Sequence, residues 1–168
     1  MATEVRTDNY QGLERGTLVA AYRNIYLSRR VDDKEIQLKR QNKIYFQINS
    51  VGHEAVTTAA GMLLKPGYDW FDCYYRDRAL ILQLGVTPYE MFLQSVGAKD
   101  DPASAGRQMP AHWGHKRLNI ISKSSCTGMQ FLHAVGAAEA GWRMGRIAEL
   151  AKNGAFHRDE VVYVSGGE

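Results

Sequence analysis

The chain has 168 residues, 45% of them hydrophobic and 23% charged, which is the composition of an ordinary globular domain with a hydrophobic core. Its formal net charge is +3, but basic and acidic residues are interspersed, and no block of like charges forms the patch that attracts nucleic acids or membrane surfaces. We therefore expect no nucleic-acid partner and no membrane partner.

The first predicted element is a long helix from about residue 13 to about residue 41. Leu18, Tyr22 and Ile25 recur at helical spacing, which puts them on one face, and no proline interrupts the run. We expect this helix to bend or break near residues 32–33, where two aspartates are adjacent.

A second helix and a first strand are predicted next. The apolar pattern over residues 56–64 is typical of a helix, and Pro66 with the following glycine ends it. The aromatic run at 71–75 predicts a short strand.

Two short helices and a long loop follow the strand. The helices are expected at 78–84 and 88–96, and the second begins with Thr87 as N-cap and Pro88 at the first helical position. Residues 97–117 are rich in Gly, Pro, Ser, Asp and His, and the segment is too long for a simple connection. We expect a functional loop or a disordered one.

The last part of the chain predicts a strand, a helix and a further strand. The strands are expected at 119–122 and 161–164, and the helix at about 128–152. The apolar side chains expected on the buried face of that helix are Leu132, Val135 and Trp142.

Strands that alternate with helices predict an α/β domain with a largely parallel sheet and flanking helices. Ligands of such sheets bind at the carboxyl ends of the strands. Three loops therefore matter most: the loop after residues 71–75, the loop around Ser124 and Ser125, and the loop after Val164.

The polar side chains near these loops admit several interpretations. Arg76 can fork onto a phosphate, or it can pair at the surface with Asp72 or Asp77. His112 and His115 are possible metal ligands, but no third ligand stands at a suitable spacing. The serines before the last helix can receive an anion or act as an ordinary N-cap.

The sequence also indicates a compartment. Cys73 and Cys126 do not make a disulfide framework and are typical of a reducing environment. The N-terminal stretch is polar and lacks the apolar segment of a secretory signal. The longest uncharged stretch, residues 124–138, is shorter than the roughly 20 residues of a membrane span. We predict a cytoplasmic protein.

Five stretches, in their order and spacing, resemble the alpha subunit, or alpha half, of the thiamine-diphosphate-dependent 2-oxo acid dehydrogenases. They are RQNKIYFQINSVGHEA, CYYRDRAL, GRQMPAHWG, SSCTGMQ followed by HAVGAAEA, and VVYVSGGE. The resemblance runs from about residue 22 to residue 168, and the loop GRQMPAHWG is similar to that of the branched-chain decarboxylating component rather than the pyruvate type.

This resemblance implies a thiamin diphosphate-binding fold, of which the chain is an incomplete N-terminal portion. It implies oxidative decarboxylation of a branched-chain 2-oxo acid of the 2-oxoisovalerate type, with transfer of the acyl group to a lipoyl arm of a multienzyme complex. Pyruvate or acetoin is the alternative substrate, and a non-catalytic helical scaffold is the alternative from another class of protein.

The resemblance also assigns roles to single residues. It places Tyr75 and Arg76 at the diphosphate of the cofactor, Ser125 near the thiamine ring and Gly167 in the cofactor motif. Glu168, the acidic residue of that motif, is expected to bind Mg²⁺. Phe46 and His112 are expected to line the substrate pocket, and His112 is the catalytic candidate of this chain.

A potassium ion is a further cofactor that the resemblance raises. The family builds this site from the loop around the two serines, and Ser124, Cys126 and Gln130 match by position. Met129 stands where the family has a threonine hydroxyl.

The implied partners are a beta subunit or a fused beta half, and a lipoyl-bearing acyltransferase. We expect residues 1–43 to form an N-terminal helical extension and residues 44–168 to form the N-terminal part of the cofactor-binding domain. Since that part stops inside the cofactor motif, we expect the chain to belong to a longer polypeptide.

Overall fold

The computed structural model describes residues 10–152 and 156–167, which form a mixed arrangement of helices and a small parallel sheet. The elements are α1 (Arg15–Arg40), α2 (Glu54–Leu63), β1 (Trp70–Asp72), α3 (Arg78–Gln83), α4 (Pro88–Ser95), a 3-10 turn (Lys116–Leu118), α5 (Met129–Met144), α6 (Ala148–Ala151) and β2 (Val162–Val164). The predicted α/β class is confirmed at this level.

A bend or break is predicted near residues 32–33; α1 is one uninterrupted helix, so a break there is wrong. Asp32 does not cap a new helix, because its carboxylate is used in a tertiary contact. Its Oδ2 accepts hydrogen bonds from the backbone N (3.0 Å) and the Oγ (2.8 Å) of Ser50, and its Oδ1 accepts from Arg78 Nε at 3.1 Å. The aspartate therefore ties the helix to the rest of the molecule.

The face of α1 that packs inward is mostly polar, although Val31 on it is buried in the core. Tyr22, which the sequence places on one face with Leu18 and Ile25, is 66% exposed, whereas Ser28 and Glu35 are buried. Asn24 Nδ2 donates to Thr58 Oγ1 on α2 (2.9 Å) and to a backbone carbonyl of α3 (2.8 Å). The apolar spacing thus identified the helix but not its buried face.

A buried ion network joins α1, α3 and α4. Arg78, Asp32 and Glu35 are each 1% exposed, and Arg78 Nη2 lies 2.5 Å from Glu35 Oε2. Ser95 Oγ donates to Glu35 Oε1 at 2.5 Å. Burial raises the pKa of the Glu35 carboxyl, and the neighbouring Arg78 guanidinium opposes this shift.

α4 begins as the sequence predicts. Thr87 Oγ1 accepts a hydrogen bond from the backbone N of Glu90 (3.2 Å), and Glu90 Oε2 accepts one from the backbone N of Thr87 (2.7 Å). This reciprocal pair is a capping box, and Pro88 occupies the first helical position.

β1 and β2 are parallel, with Trp70 opposite Val162 and Asp72 opposite Val164. A third segment runs along the other edge of β1, because Phe71 N donates to Asn119 O (3.0 Å) and Ile121 N donates to Phe71 O (2.8 Å). It pairs with β1 through one parallel bridge instead of the predicted strand at 119–122. β1 therefore lies in the middle of three parallel segments.

The hydrophobic core lies beneath β1 and between the helices. Its fully or nearly fully buried side chains include Phe71, Cys73, Leu80, Ile81, Leu84, Met91, Trp113 and Ile120. The core includes side chains from β1, α3, α4 and the bridged segment, so it fixes the sheet against the short helices.

α5 packs on the sheet with its small and polar side chains. Gln130 and Ala134 are buried. The three residues predicted to be buried are exposed instead: Leu132 by 73%, Val135 by 67% and Trp142 by 59%. The prediction of their burial is wrong, because close approach to the sheet selects small side chains. None of the helices that the structure describes is long and apolar enough for a membrane crossing.

Candidate functional site

Three chain segments leave the sheet at the same edge, as expected for parallel strands. Tyr74 follows β1, Ser125 follows the bridged segment and Ser165 follows β2. Tyr74 N donates to Ser165 Oγ at 3.0 Å, and Gln130 Nε2 donates to Ser165 O at 3.1 Å. The three strand ends are thus cross-linked into one site.

Tyr75 fastens the first segment to the second. Its hydroxyl donates to the carbonyl oxygens of Ser125 (2.8 Å) and Ser124 (3.2 Å). A tyrosine hydroxyl has one proton, and here both loop carbonyls share it. The structure therefore gives Tyr75 the contact that orders the serine loop, and its expected contact with the cofactor stays a prediction.

His112 is 3% exposed and reaches the same loop. Its Nδ1 lies 3.2 Å from the Pro110 carbonyl, which only accepts, so Nδ1 carries the proton. In the neutral ring Nε2 then accepts from Ser125 Oγ, at 2.9 Å. The ring also lies 5.0 Å from that of Tyr75, centroid to centroid. The structure thus unites His112, Tyr75 and Ser125.

Arg76 brings the chain between α1 and α2 to the site. Its Nη1 donates to the carbonyl of Asn49 at 2.8 Å, and the side chain is half-buried. Phe46, three residues before Asn49, is also half-buried. The place of Phe46 in a substrate pocket stays a prediction.

Asp77 holds the end of β2 against the end of β1. Its Oδ2 accepts from Tyr74 N at 3.0 Å and from the hydroxyl of Ser165. Burial raises the pKa of Asp77, and these two hydrogen bonds oppose the shift. Such a bonded carboxyl acts here as a clamp between the two strand ends.

The glycines after β2 make room for aromatic rings. A Cβ on Gly167 would lie 2.5 Å from Tyr74 Cε1, and one on Gly166 would lie 2.6 Å from Phe131 Cζ. Only glycine therefore allows this segment to pass so close to both rings. Glu168, the predicted metal ligand, lies outside the described residues.

Two buried charges lie behind the three strand ends. Lys123 is 1% exposed, and its Nζ donates to Gln130 Oε1 at 2.5 Å. Asp72 is 0% exposed, and its Oδ2 lies 3.6 Å from His133 Nδ1. Burial raises the pKa of Asp72, whereas the charges of His133 and Lys123 oppose the shift.

His115 serves a different part of the molecule from His112. Its Nε2 lies 3.6 Å from Glu90 Oε1 on α4, whereas His112 contacts the serine loop. The two histidines that the sequence offers as possible metal ligands thus engage separate partners.

Sequence reasoning missed Lys123 and Asp77 as site residues. Each stands next to a motif residue, Lys123 before Ser124 and Asp77 after Arg76. Adjacency was the only available signal, and it is weak because most charged side chains are solvated.

Comparison with known proteins identifies the family of the chain. The profile of the family described as "Dehydrogenase E1 component" matches residues 22–153. The chain is 38% identical over 130 residues to "2-oxoisovalerate dehydrogenase subunit alpha" of Bacillus subtilis, covering 77% of this chain and 39% of that protein. It is 38% identical over 100 residues to the mitochondrial subunit alpha 1 of Arabidopsis thaliana, covering 60% of this chain and 21% of that protein.

A third relative is the 2-oxoisovalerate dehydrogenase subunit alpha of Pseudomonas aeruginosa, which is 29% identical over 119 residues. The match covers 71% of this chain and 28% of that protein. The chain thus corresponds to well under half the length of each of these three relatives.

Proposed function

The chain belongs to the dehydrogenase E1 component family, and on this premise we propose that it is part of a thiamine-diphosphate-dependent decarboxylase of branched-chain 2-oxo acids. The position of Arg76, Ser125 and Gly167 after the carboxyl ends of three parallel segments supports this proposal. The names of the relatives support the 2-oxoisovalerate type of substrate. A complete thiamin diphosphate-binding fold is part of the same proposal.

The donors at this edge fit a diphosphate. A guanidinium binds phosphate oxygens through charge-assisted hydrogen bonds, and a glycine segment lets the backbone come close to an anion. Arg76 and Gly167 would hold the diphosphate, Ser125 would contact the thiamine ring, and Glu168 would bind the Mg²⁺ that accompanies it. Thiamine diphosphate, when bound, supplies the electron sink for the decarboxylation.

The residues of this chain orient and shield the reactants. Tyr75 holds the serine loop in place, so that Ser125 keeps a fixed position. His112 Nε2 lies 2.9 Å from the Ser125 hydroxyl, and His112 is the proposed catalytic histidine. Phe46 and His112 are the proposed contacts of the substrate side chain, in a loop region that positions an apolar acyl group.

The proposed partners are a beta subunit or fused beta half and a lipoyl-bearing acyltransferase that accepts the acyl group. We further propose that residues 1–43 are an N-terminal helical extension and that residues 44–168 belong to the cofactor-binding domain. The burial of Asp32 and Glu35 against α3 and α4 supports tight packing of that extension on the domain.

Calorimetric titration with thiamine diphosphate and Mg²⁺ tests the cofactor proposal. The sample is the natural polypeptide that contains this chain, with its beta partner. Loss of a charged hydrogen-bonding group costs about 1.5–3 kcal/mol, so we expect Arg76→Ala to weaken binding about ten- to hundredfold. Arg117→Ala is the matched control, since this exposed arginine precedes the bridged segment and lies at its opposite end. Equal binding in both variants, or none in the parent protein, would overturn the proposal.

Substrate preference is tested separately by steady-state kinetics. We expect kcat/KM for 3-methyl-2-oxobutanoate to exceed that for pyruvate by at least about tenfold, because each methylene in an apolar pocket contributes about 1–3 kcal/mol. Preference for pyruvate or acetoin would assign the protein to another branch of the family. Lack of all activity together with lack of cofactor binding would favour the scaffold.

A further inference from the structure

The ammonium of Lys123 is an interior charge at the base of the serine loop. The side chain is 1% exposed, and Nζ lies 4.8 Å from the ring centroid of Tyr75 and 2.5 Å from Gln130 Oε1. Lysine is almost never this buried unless it is paired, so its position requires a physical reason.

Gln130 transmits the contact of Lys123 to two of the three strand ends. Its Oε1 also accepts from Gly128 N at 3.1 Å, which fixes the end of the serine loop. Its Nε2 donates to Ser165 O at 3.1 Å, which fixes the segment after β2. Since Tyr75 lies under the same ammonium, Lys123 contacts the groups that tie all three segments together.

The loop residues do not fit the potassium ion that the family resemblance implies. Potassium replaces its hydration shell with oxygen ligands, and Met129 offers a thioether at the hydroxyl position. Gln130 Oε1 accepts from both Lys123 Nζ (2.5 Å) and Gly128 N (3.1 Å), which uses its two lone pairs. The oxygen that would complete an ion site is bonded to an ammonium instead.

We propose that Lys123 is a positioning residue whose ammonium takes the place of a monovalent cation and orders residues 124–128 without added potassium. The proposal deepens the proposed function, because this loop is the one that would face the thiamine ring. The buried Asp72 and Asp77 act electrostatically on Lys123 and favour its charged form. Burial lowers the pKa of Lys123, and these two carboxylates oppose that shift.

Hydrogen exchange of the cofactor-free protein tests the proposal apart from catalysis. The amides of Gly128 and Met129 are followed in KCl, NaCl and choline chloride at one ionic strength. We expect the natural protein to exchange equally in the three salts, within about twofold. We expect Lys123→Met, which keeps the length but removes the charge, to lose protection at these amides about tenfold, as for one charge-assisted hydrogen bond.

A second variant separates cation replacement from simple packing. Lys123→Met combined with Met129→Thr removes the ammonium from Gln130 Oε1, which keeps its bond from Gly128 N, and restores the hydroxyl. We therefore expect protection of the Gly128 amide to return in KCl but not in choline chloride. The proposal would be overturned if the Gly128 amide of the double variant had the same protection in KCl and in choline chloride. Unchanged protection in Lys123→Met would also overturn it. If Lys123→Met does not fold, the natural protein decides by itself, because a fivefold effect of potassium on its exchange contradicts the proposal.

Cofactor titrations of the same proteins keep the two proposals distinguishable. We expect the affinity of the natural protein for thiamine diphosphate to be equal in KCl and choline chloride, and that of the double variant to rise at least fivefold in KCl. The expected exchange pattern without any cofactor binding would refute the proposed function and leave the role of Lys123 supported.

Discussion

Arg78→Met should cause a large loss of stability, because it leaves two carboxylates in the core without their cation. The change removes the hydrogen bonds from Nε to Asp32, from Nη1 and Nη2 to Glu35, and from Nη2 to the Ile48 carbonyl. Breaking a buried ion pair on one side costs about 3–5 kcal/mol. Asp32 keeps two hydrogen bonds from Ser50. We therefore expect the lower end of this range, about 3 kcal/mol.

The assay is urea unfolding with linear extrapolation, and Arg143→Met is the matched control. Arg143 pairs with Glu139 one turn away on α5, and the two side chains are 69% and 55% exposed. An exposed pair of this kind is worth about 0.3–0.5 kcal/mol. If Arg78→Met cost no more than Arg143→Met at neutral pH, the buried network would not carry the stability assigned to it.

The loss should also depend on pH in a defined direction. The pKa of Glu35 is raised in the folded state, so the folded protein binds more protons than the unfolded chain. The contribution of Glu35 to stability therefore falls as pH rises above 4.5 and passes the raised pKa. Without Arg78 this pKa rises further. The stability lost in Arg78→Met should therefore shrink as pH falls below the pKa of Glu35 in that variant. Adding Glu35→Gln should recover part of the lost unfolding free energy at neutral pH.

Two further changes test the packing at and behind the site. Gly167→Ala should destabilise the protein by about 1–3 kcal/mol because the methyl group overlaps Tyr74. Gly136→Ala, in open space on α5, should stabilise it by up to about 1 kcal/mol. Equal melting temperatures of the two variants in thermal unfolding would contradict this. A thiol reagent should label Cys126, which is exposed, and spare Cys73 until the protein unfolds, because Cys73 is fully buried and burial raises its pKa; equal labelling rates in the native protein would refute this.

Elements with local causes could be predicted from the sequence. The start of α4 depends on Thr87, Pro88 and Glu90, which lie within four positions of one another, and the predicted cap is present. The partners of Asp32 and Glu35 lie 18 to 60 residues away, at Ser50 and Ser95 among others. No local pattern carries that information, so the polar packing face of α1 was not predictable.

The candidate site shows the same division. Motif order and strand-end logic identified Arg76, Ser125 and His112, and the structure brings Ser125 and His112 into contact. The burial of Lys123 and Asp72 was not predictable, because each is stabilised or strained by neighbours from other segments, and an isolated lysine or aspartate in a sequence is most often solvated.

The parallel pairing of β1 with β2 determines the order in which the structure forms during folding. The hydrogen bond from Tyr74 to Ser165 closes a chain separation of 91 residues, whereas that between Asn24 and Thr58 closes 34. Long closures carry the larger entropic cost and form slowly. The helices α1, α2 and α3 should therefore pack together before the strand-end site forms. In pulse labelling, the Trp70 amide, which bonds the Val161 carbonyl, should gain protection after the amides of α2. During synthesis on the ribosome, a chaperone would meet a structured helical layer whose binding edge is still open.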